Sequence, residues 1–230
     1  FEMISPLFES LLDNSMFLLP LEVDNENPLE GGEMENFLRN ESEIAPQFKL
    51  QLDDKEVNLE ELEDLLEYSR LNTVGELWLG RNEFSDRGVE LLSNSKKLSN
   101  LEVISLAGNR LTDQALGALA NSKTLAKLKR LFIQNNFISA EGVGCLAKSE
   151  VVTSLEILYL KQNPLGDNGA KALATSCSLQ NLKELYLGET ELGNEGLVQL
   201  CNGVLWPNLV TLSLAKNSLD DKSAQMLAET

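Results

Sequence analysis

Apolar side chains return every 27 residues along most of this chain. Leu65, Leu92, Leu119, Leu146, Leu173, Leu200 and Leu227 form one column. Val74, Leu101, Leu128, Leu155, Leu182 and Leu209 form a second at the same step, and Leu77, Ile104, Leu131, Leu158, Leu185 and Leu212 a third. A fixed step of about 20 to 50 residues marks stacked units, each too small to bury its apolar face alone. Two shorter periods run inside each unit. A Leu-x-Leu alternation turns neighbouring side chains to opposite faces and predicts a strand. Behind it, Leu116, Leu119 and Ala120, or Val143, Leu146 and Ala147, fall at helical spacing. Thr112 and Asp113, Ser139, Asp167, Asn194 and Asp220 stand where helix N-caps belong.

Laid over one another, the units read LxxLxLxxNxL followed by the helix. One runs Leu101, Ile104, Leu106, Asn109, Leu111; the next runs Leu128, Leu131, Ile133, Asn136, Ile138. The column Asn82, Asn109, Asn136, Asn163 and Asn217 stands where the chain leaves the strand and turns inward. A buried amide there supplies the donor and the acceptor that the turning backbone lacks. Thr190 replaces Asn conservatively, while Lys55 breaks the column and makes the unit near Gln47 irregular. Seven strands are expected in all. The small column Gly88, Ala115, Gly142, Gly169, Gly196 and Ser223 predicts helices lying close over a sheet.

These columns resemble the leucine-rich repeat family, and the 27-residue length resembles its ribonuclease-inhibitor-like class. The resemblance covers about residues 47–230 and implies an α/β fold. That fold is a right-handed leucine-rich-repeat solenoid, a horseshoe with a concave parallel β-sheet and α-helices outside. Residues 1–46 form an acidic N-terminal extension. Ser5-Pro6 with Leu7, Phe8, Leu11 and Leu12 reads as a helix that caps the first apolar layer. Leu19-Pro20-Leu21-Glu22-Val23 resembles the opening of an F-box, but Asp24-Asn25-Glu26-Asn27 replaces the apolar positions that should follow. At the other end, the helix from Asp220 either closes the core or leaves that to a further segment.

Charge narrows the partners. The net charge is −17, with 19 basic and 36 acidic residues, and residues 1–46 alone carry 11 acidic residues against Arg39. Nucleic acid and anionic membrane are poor partners for such a chain, since both need clustered Lys and Arg. No apolar run is long enough to span a bilayer. Cys145, Cys177 and Cys201 are too few and scattered for a disulfide framework, which suggests a reducing, cytoplasmic setting. Cys145 and Cys201 read as small core residues.

The middle residue of each Leu-x-Leu points away from the core. That column is Gln51, Trp78, Ser105, Phe132, Tyr159, Tyr186 and Ser213, four aromatics of seven in a chain 6% aromatic. Phe132, Tyr159 and Tyr186 form a row roughly 10 Å long on strands about 4.8 Å apart, with Trp78 set apart across Ser105. Exposed aromatic clusters are typical binding hot spots. Arg130 and Lys161 border the row and Glu184 lies at its far end, as a polar rim around an apolar centre. A protein or peptide partner held by this face is therefore the expected function.

Enzyme chemistry has little support. There is no histidine, so the commonest general base and zinc ligand is missing, and no phosphate loop or nucleophile elbow occurs. No cofactor or metal is expected. Ran GTPase-activating proteins have similar repeats, which raises Arg81 and Arg110 on post-strand turns as contacts to a GTPase. Repeats of this kind also suit a secreted bacterial effector recognising host proteins, or a purely structural or oligomerising domain.

Overall fold

A computed structural model describes residues 18–20, 48–68, 71–82 and 84–229. The capping helix expected at Ser5-Pro6, the acidic stretch of residues 21–46 and the boundary at residue 47 lie outside them. Among the described residues, one sheet holds eight strands in chain order: β1 (Leu18–Pro20), β2 (Phe48–Gln51), β3 (Val74–Trp78), β4 (Val103–Ser105), β5 (Arg130–Phe132), β6 (Ile157–Tyr159), β7 (Glu184–Tyr186) and β8 (Thr211–Ser213). Strands β2 to β8 are the seven expected and all pair in parallel. The eighth, β1, was not foreseen; it pairs antiparallel to β2, with Leu18 opposite Leu50.

Each parallel strand is followed by a helix: α1 (Leu59–Glu67), α2 (Ser85–Asn94), α3 (Asp113–Ala120), α4 (Ala140–Ala147), α5 (Gly166–Ala174), α6 (Asn194–Cys201) and α7 (Asp221–Glu229). The step of 27 becomes register: Ser105 lies opposite Trp78 and Phe132, and Tyr159 opposite Phe132 and Tyr186. The irregular first unit shows as a register shift at Phe48/Lys49.

The three leucine columns fill the space between sheet and helices, and from Leu65 to Leu200 their members are almost fully buried. Each such side chain contributes about 1.5–3 kcal/mol. The core thins towards α7, where Leu209 and Leu212 are partly buried and Leu227 is exposed. Helix α7 therefore leaves its own layer partly open.

The asparagine column is a hydrogen-bonded ladder. Asn82, Asn109, Asn136 and Asn163 each donate Nδ2 to the first carbonyl past the strand of the preceding unit: Leu52 at 2.8 Å, Leu79 at 2.8 Å, Leu106 at 3.1 Å and Ile133 at 3.0 Å. Their Oδ1 atoms accept from backbone N–H groups of that same unit, as Asn109 does from Asn82 N at 2.8 Å. Thr190 cannot do this. Its hydroxyl donates to Leu187 O at 2.9 Å in its own unit, and Leu165 N turns instead to Asn163 O.

One residue before the ladder, Asp54, Arg81, Gly108, Asn135, Gln162, Glu189 and Lys216 all have φ between 54° and 66°. This is left-handed backbone, and six of the seven are not glycine. The ladder and the core fix the turn so firmly that an L-residue is forced to accept it.

Three features of the structure differ from expectation. The small column is small because of the neighbouring helix, not the sheet: a Cβ on Gly196 would sit 2.5 Å from Asp167 Oδ1 and 2.9 Å from Asp167 Cα, and one on Gly142 would strike Asp113. Asp113, Asp167 and Asn194 are not N-caps. They stand in the first helical turn and brace the next unit, with Asp113 Oδ1 accepting from Ser139 N at 2.7 Å and Asp167 Oδ1 from Gly193 N at 2.7 Å. Thr112, Ser139 and Asp220 do cap, as expected. Finally, Cys145 is exposed on α4, because its column faces away from the core there; Cys201 is buried.

Candidate functional site

Strand alternation places Trp78, Phe132, Tyr159 and Tyr186 on the concave face, each half-buried. The row is continuous. Trp78 is not set apart: its ring meets Phe132 with centroids 5.3 Å apart, although two strand steps separate their backbones. Ser105, between them and buried, is small enough for both rings to lean over it. Phe132 and Tyr159 follow at 4.8 Å, and Tyr159 and Tyr186 stack at 3.8 Å with planes 12° apart. Lys49 Nζ covers the outer face of Trp78, 4.5 Å from the ring centroid.

The rings therefore turn their faces to one another and their edges outward. Each such contact contributes about 0.5–1.5 kcal/mol beyond burial, so the row is held in place by its own contacts.

Carboxylates fix both ends. At the β3 end, Glu76 is buried beneath the row; its Oε2 accepts from Trp78 Nε1 at 3.1 Å and its Oε1 pairs with Arg130 at 2.6 Å. Val103 stands between Glu76 and Arg130 in the register and is almost fully buried. At the β7 end, Tyr186 Oη donates to Glu184 Oε2 at 2.8 Å. Interaction with Tyr159 and with Glu184, together with partial burial, holds the Tyr186 phenol above its ordinary pKa.

Lys161 lies two residues beyond Tyr159 and reaches Glu189 at 3.4 Å. Its stem passes over Gly188, where a Cβ would come within 3.5 Å of it. Glu189 also takes Lys216 at 3.3 Å and Gln162 Nε2 at 3.2 Å. Burial raises the Glu189 pKa, but the donors around it outweigh this and leave it below its ordinary value.

All seven candidates thus stand on one face. Trp78, Phe132, Tyr159 and Tyr186 touch in sequence; Arg130 joins them through Glu76, Glu184 through Tyr186, and Lys161 flanks them. Glu76 and Lys49 complete the site, although the sequence pattern does not single them out. The signal for Glu76 was present: it stands two residues before Trp78 and two repeats before Arg130, so one carboxylate could meet both. Arg81 lies on the strand-exit turn as expected, but it is ion-paired with Asp54, whose pKa that guanidinium lowers. Arg110 is exposed on the corresponding turn.

A parallel sheet with one helix per 27-residue unit, an asparagine ladder and a side-chain row on the open face define a repeat solenoid. The sequence pattern of the leucine-rich repeat family matches residues 97–120, 153–174, 178–201 and 207–228. These four stretches are leucine-rich repeats, and they lie in one continuous solenoid. Similar solved structures include a plant peptide hormone receptor, RGFR1, in complex with RGF2, and the tropomodulin C-terminal domain of Caenorhabditis elegans. The receptor is 20% identical over 77% of this chain, with a TM-score of 0.40; the match spans 25% of the receptor's length. The tropomodulin domain is 15% identical over 73% of this chain and 89% of its own, with a TM-score of 0.45. No curated protein sequence matches the chain.

Proposed function

We propose that this chain is a protein-interaction module whose concave face holds a protein or peptide partner against Trp78, Phe132, Tyr159 and Tyr186. The observation that carries this reading is the unbroken ring row across five strands, held at both ends by Glu76 and Glu184. A row fixed before binding loses little side-chain entropy when a partner arrives, which is how aromatic hot spots gain affinity. No covering layer lies over this face among the described residues. We read the chain as a binder rather than an enzyme, of the ribonuclease-inhibitor-like class by its repeat length, and working in a reducing compartment. A GTPase-activating role is weakened by the pairing of Arg81 with Asp54, which engages a side chain that would have to reach a nucleotide.

The test is a paired capture from cytosolic lysate with wild type and Phe132→Ser/Tyr159→Ser/Tyr186→Ser, circular dichroism confirming that both are folded. A partner retained by wild type and lost by the variant supports the reading. Equal capture by both moves the site off the concave face.

A further inference from the structure

With net charge −17, the chain as a whole would attract basic partners. The concave face balances its charges but exposes the two signs unequally. In its ion pairs the cation is the more exposed partner: Arg130 is 41% exposed over Glu76 at 9%, and Lys161 and Lys216 are 47% and 74% exposed over Glu189 at 27%. The carboxylates are also occupied. Asp53 accepts from Gln51 and from Gly80 N, Glu76 from Trp78 and Arg130, Glu184 from Tyr186, and Glu189 from Lys161, Lys216 and Gln162. The donors are not used up in the same way. A guanidinium has five N–H groups and an ammonium three, and the outward ones face solvent.

The rings agree with this bias. With Trp78 stacked on Phe132, Tyr159 stacked on Tyr186 and Phe132 tilted by 32° to Tyr159, the rings show their electropositive edges to an arriving chain, which suits carbonyls and carboxylates better than cations. Screening over about 8 Å at physiological ionic strength lets this local pattern prevail over the distant acidic surface.

Resting on the concave-face reading, we propose that the occupant is an acidic peptide segment of a partner, with carboxylates on Arg130 and Lys161 and an apolar centre on the ring edges. The spacing follows from the strands. Arg130 lies two residues before Phe132 on β5, and Lys161 two residues after Tyr159 on the adjacent β6. An extended peptide crossing the row therefore needs about four residues, roughly 13 Å, between the carboxylates that meet the two cations.

The experiment is fluorescence anisotropy at physiological salt with the full chain and three labelled peptides, GEEVFVEEG, GQQVFVQQG and GKKVFVKKG. The acidic peptide is expected to bind about tenfold tighter than the glutamine peptide, since two exposed charge pairs supply that much. Arg130→Glu/Lys161→Glu is expected to abolish the preference. Lysine-peptide binding to the acidic remainder of the chain is recognised by its insensitivity to Tyr159→Ser/Tyr186→Ser. If wild type shows no acidic preference while the tyrosine variant loses glutamine-peptide binding, this proposal fails and the concave-face reading stands. If the tyrosine variant binds the acidic peptide like wild type, both fail. Absence of acidic-peptide binding at millimolar protein also overturns the proposal.

Discussion

Replacing Asn136 by alanine removes one rung of the ladder and nothing else of consequence. Its Oδ1 accepts from Asn109 N and from Leu111 N, each at 3.0 Å, and its Nδ2 donates to Leu106 O at 3.1 Å and Ile133 O at 2.9 Å. Asn136 is 5% exposed, so water cannot readily replace these partners. Two buried N–H groups left unpaired cost about 4 kcal/mol in total, since each costs roughly 1–3 and the stranded carbonyls add a smaller amount. For a chain of this size that is a fall in Tm of about 8–16 °C. The chain carries its own control in Thr190, whose side chain makes no bond to the preceding unit. Thr190→Ala should cost only about 1 kcal/mol, the value of one ordinary hydrogen bond. Thr190→Asn should stabilise by about 1–2 kcal/mol, because the new amide can accept from Leu165 N as Asn136 does from Leu111 N. Urea unfolding followed by circular dichroism measures all three. Hydrogen exchange adds whether the Asn136→Ala loss is confined to neighbouring units, as stacked repeats require. An Asn136→Ala cost no larger than that of Thr190→Ala would refute the ladder as a stabilising element.

The glycines offer a paired test. Gly196→Ala drives a methyl into Asp167 and Leu192 and should cost about 1–3 kcal/mol, whereas Gly117→Ala meets nothing within 4 Å and should gain about 0.5–1 kcal/mol; thermal melts of opposite sign are the expected result. Glu76→Gln keeps an acceptor for the Trp78 indole but loses the charge beneath Arg130. A double-mutant cycle with Arg130→Met should return a coupling of about 1 kcal/mol or more, and a value near zero would show the pair to be incidental.

Much of this was legible in the sequence because repetition multiplies weak signals. One leucine says little, but Leu77 through Leu212 at a constant step fix strand, register and core together. The aromatic column followed from strand alternation alone. What stayed hidden depended on distances between units. Trp78 was read as isolated because spacing along the sheet says nothing of how far two rings lean over a serine. The helical glycines were assigned to the wrong neighbour, since a small residue reports a close approach but not its direction. The left-handed turns went unnoticed because Asp54, Arg81, Gln162, Glu189 and Lys216 carry none of the glycine that usually marks them. Strand β1 was out of reach: it belongs to no repeat and three residues hold no periodicity.

The glycine column also acts on the opposite side of the molecule. Strands stack about 4.8 Å apart, whereas packed helices need roughly 8–10 Å, so every added unit opens like a fan towards its helices. Residues without a side chain at Gly142 and Gly196 let the helices draw together and reduce that opening. They set the radius of the solenoid, and with it the angle at which neighbouring strands present Phe132, Tyr159 and Tyr186. The column works as a lever: bulk added at the back wedges the helices apart and crowds the rings at the front. The geometry of the inner surface is thus adjustable from the opposite side of the molecule.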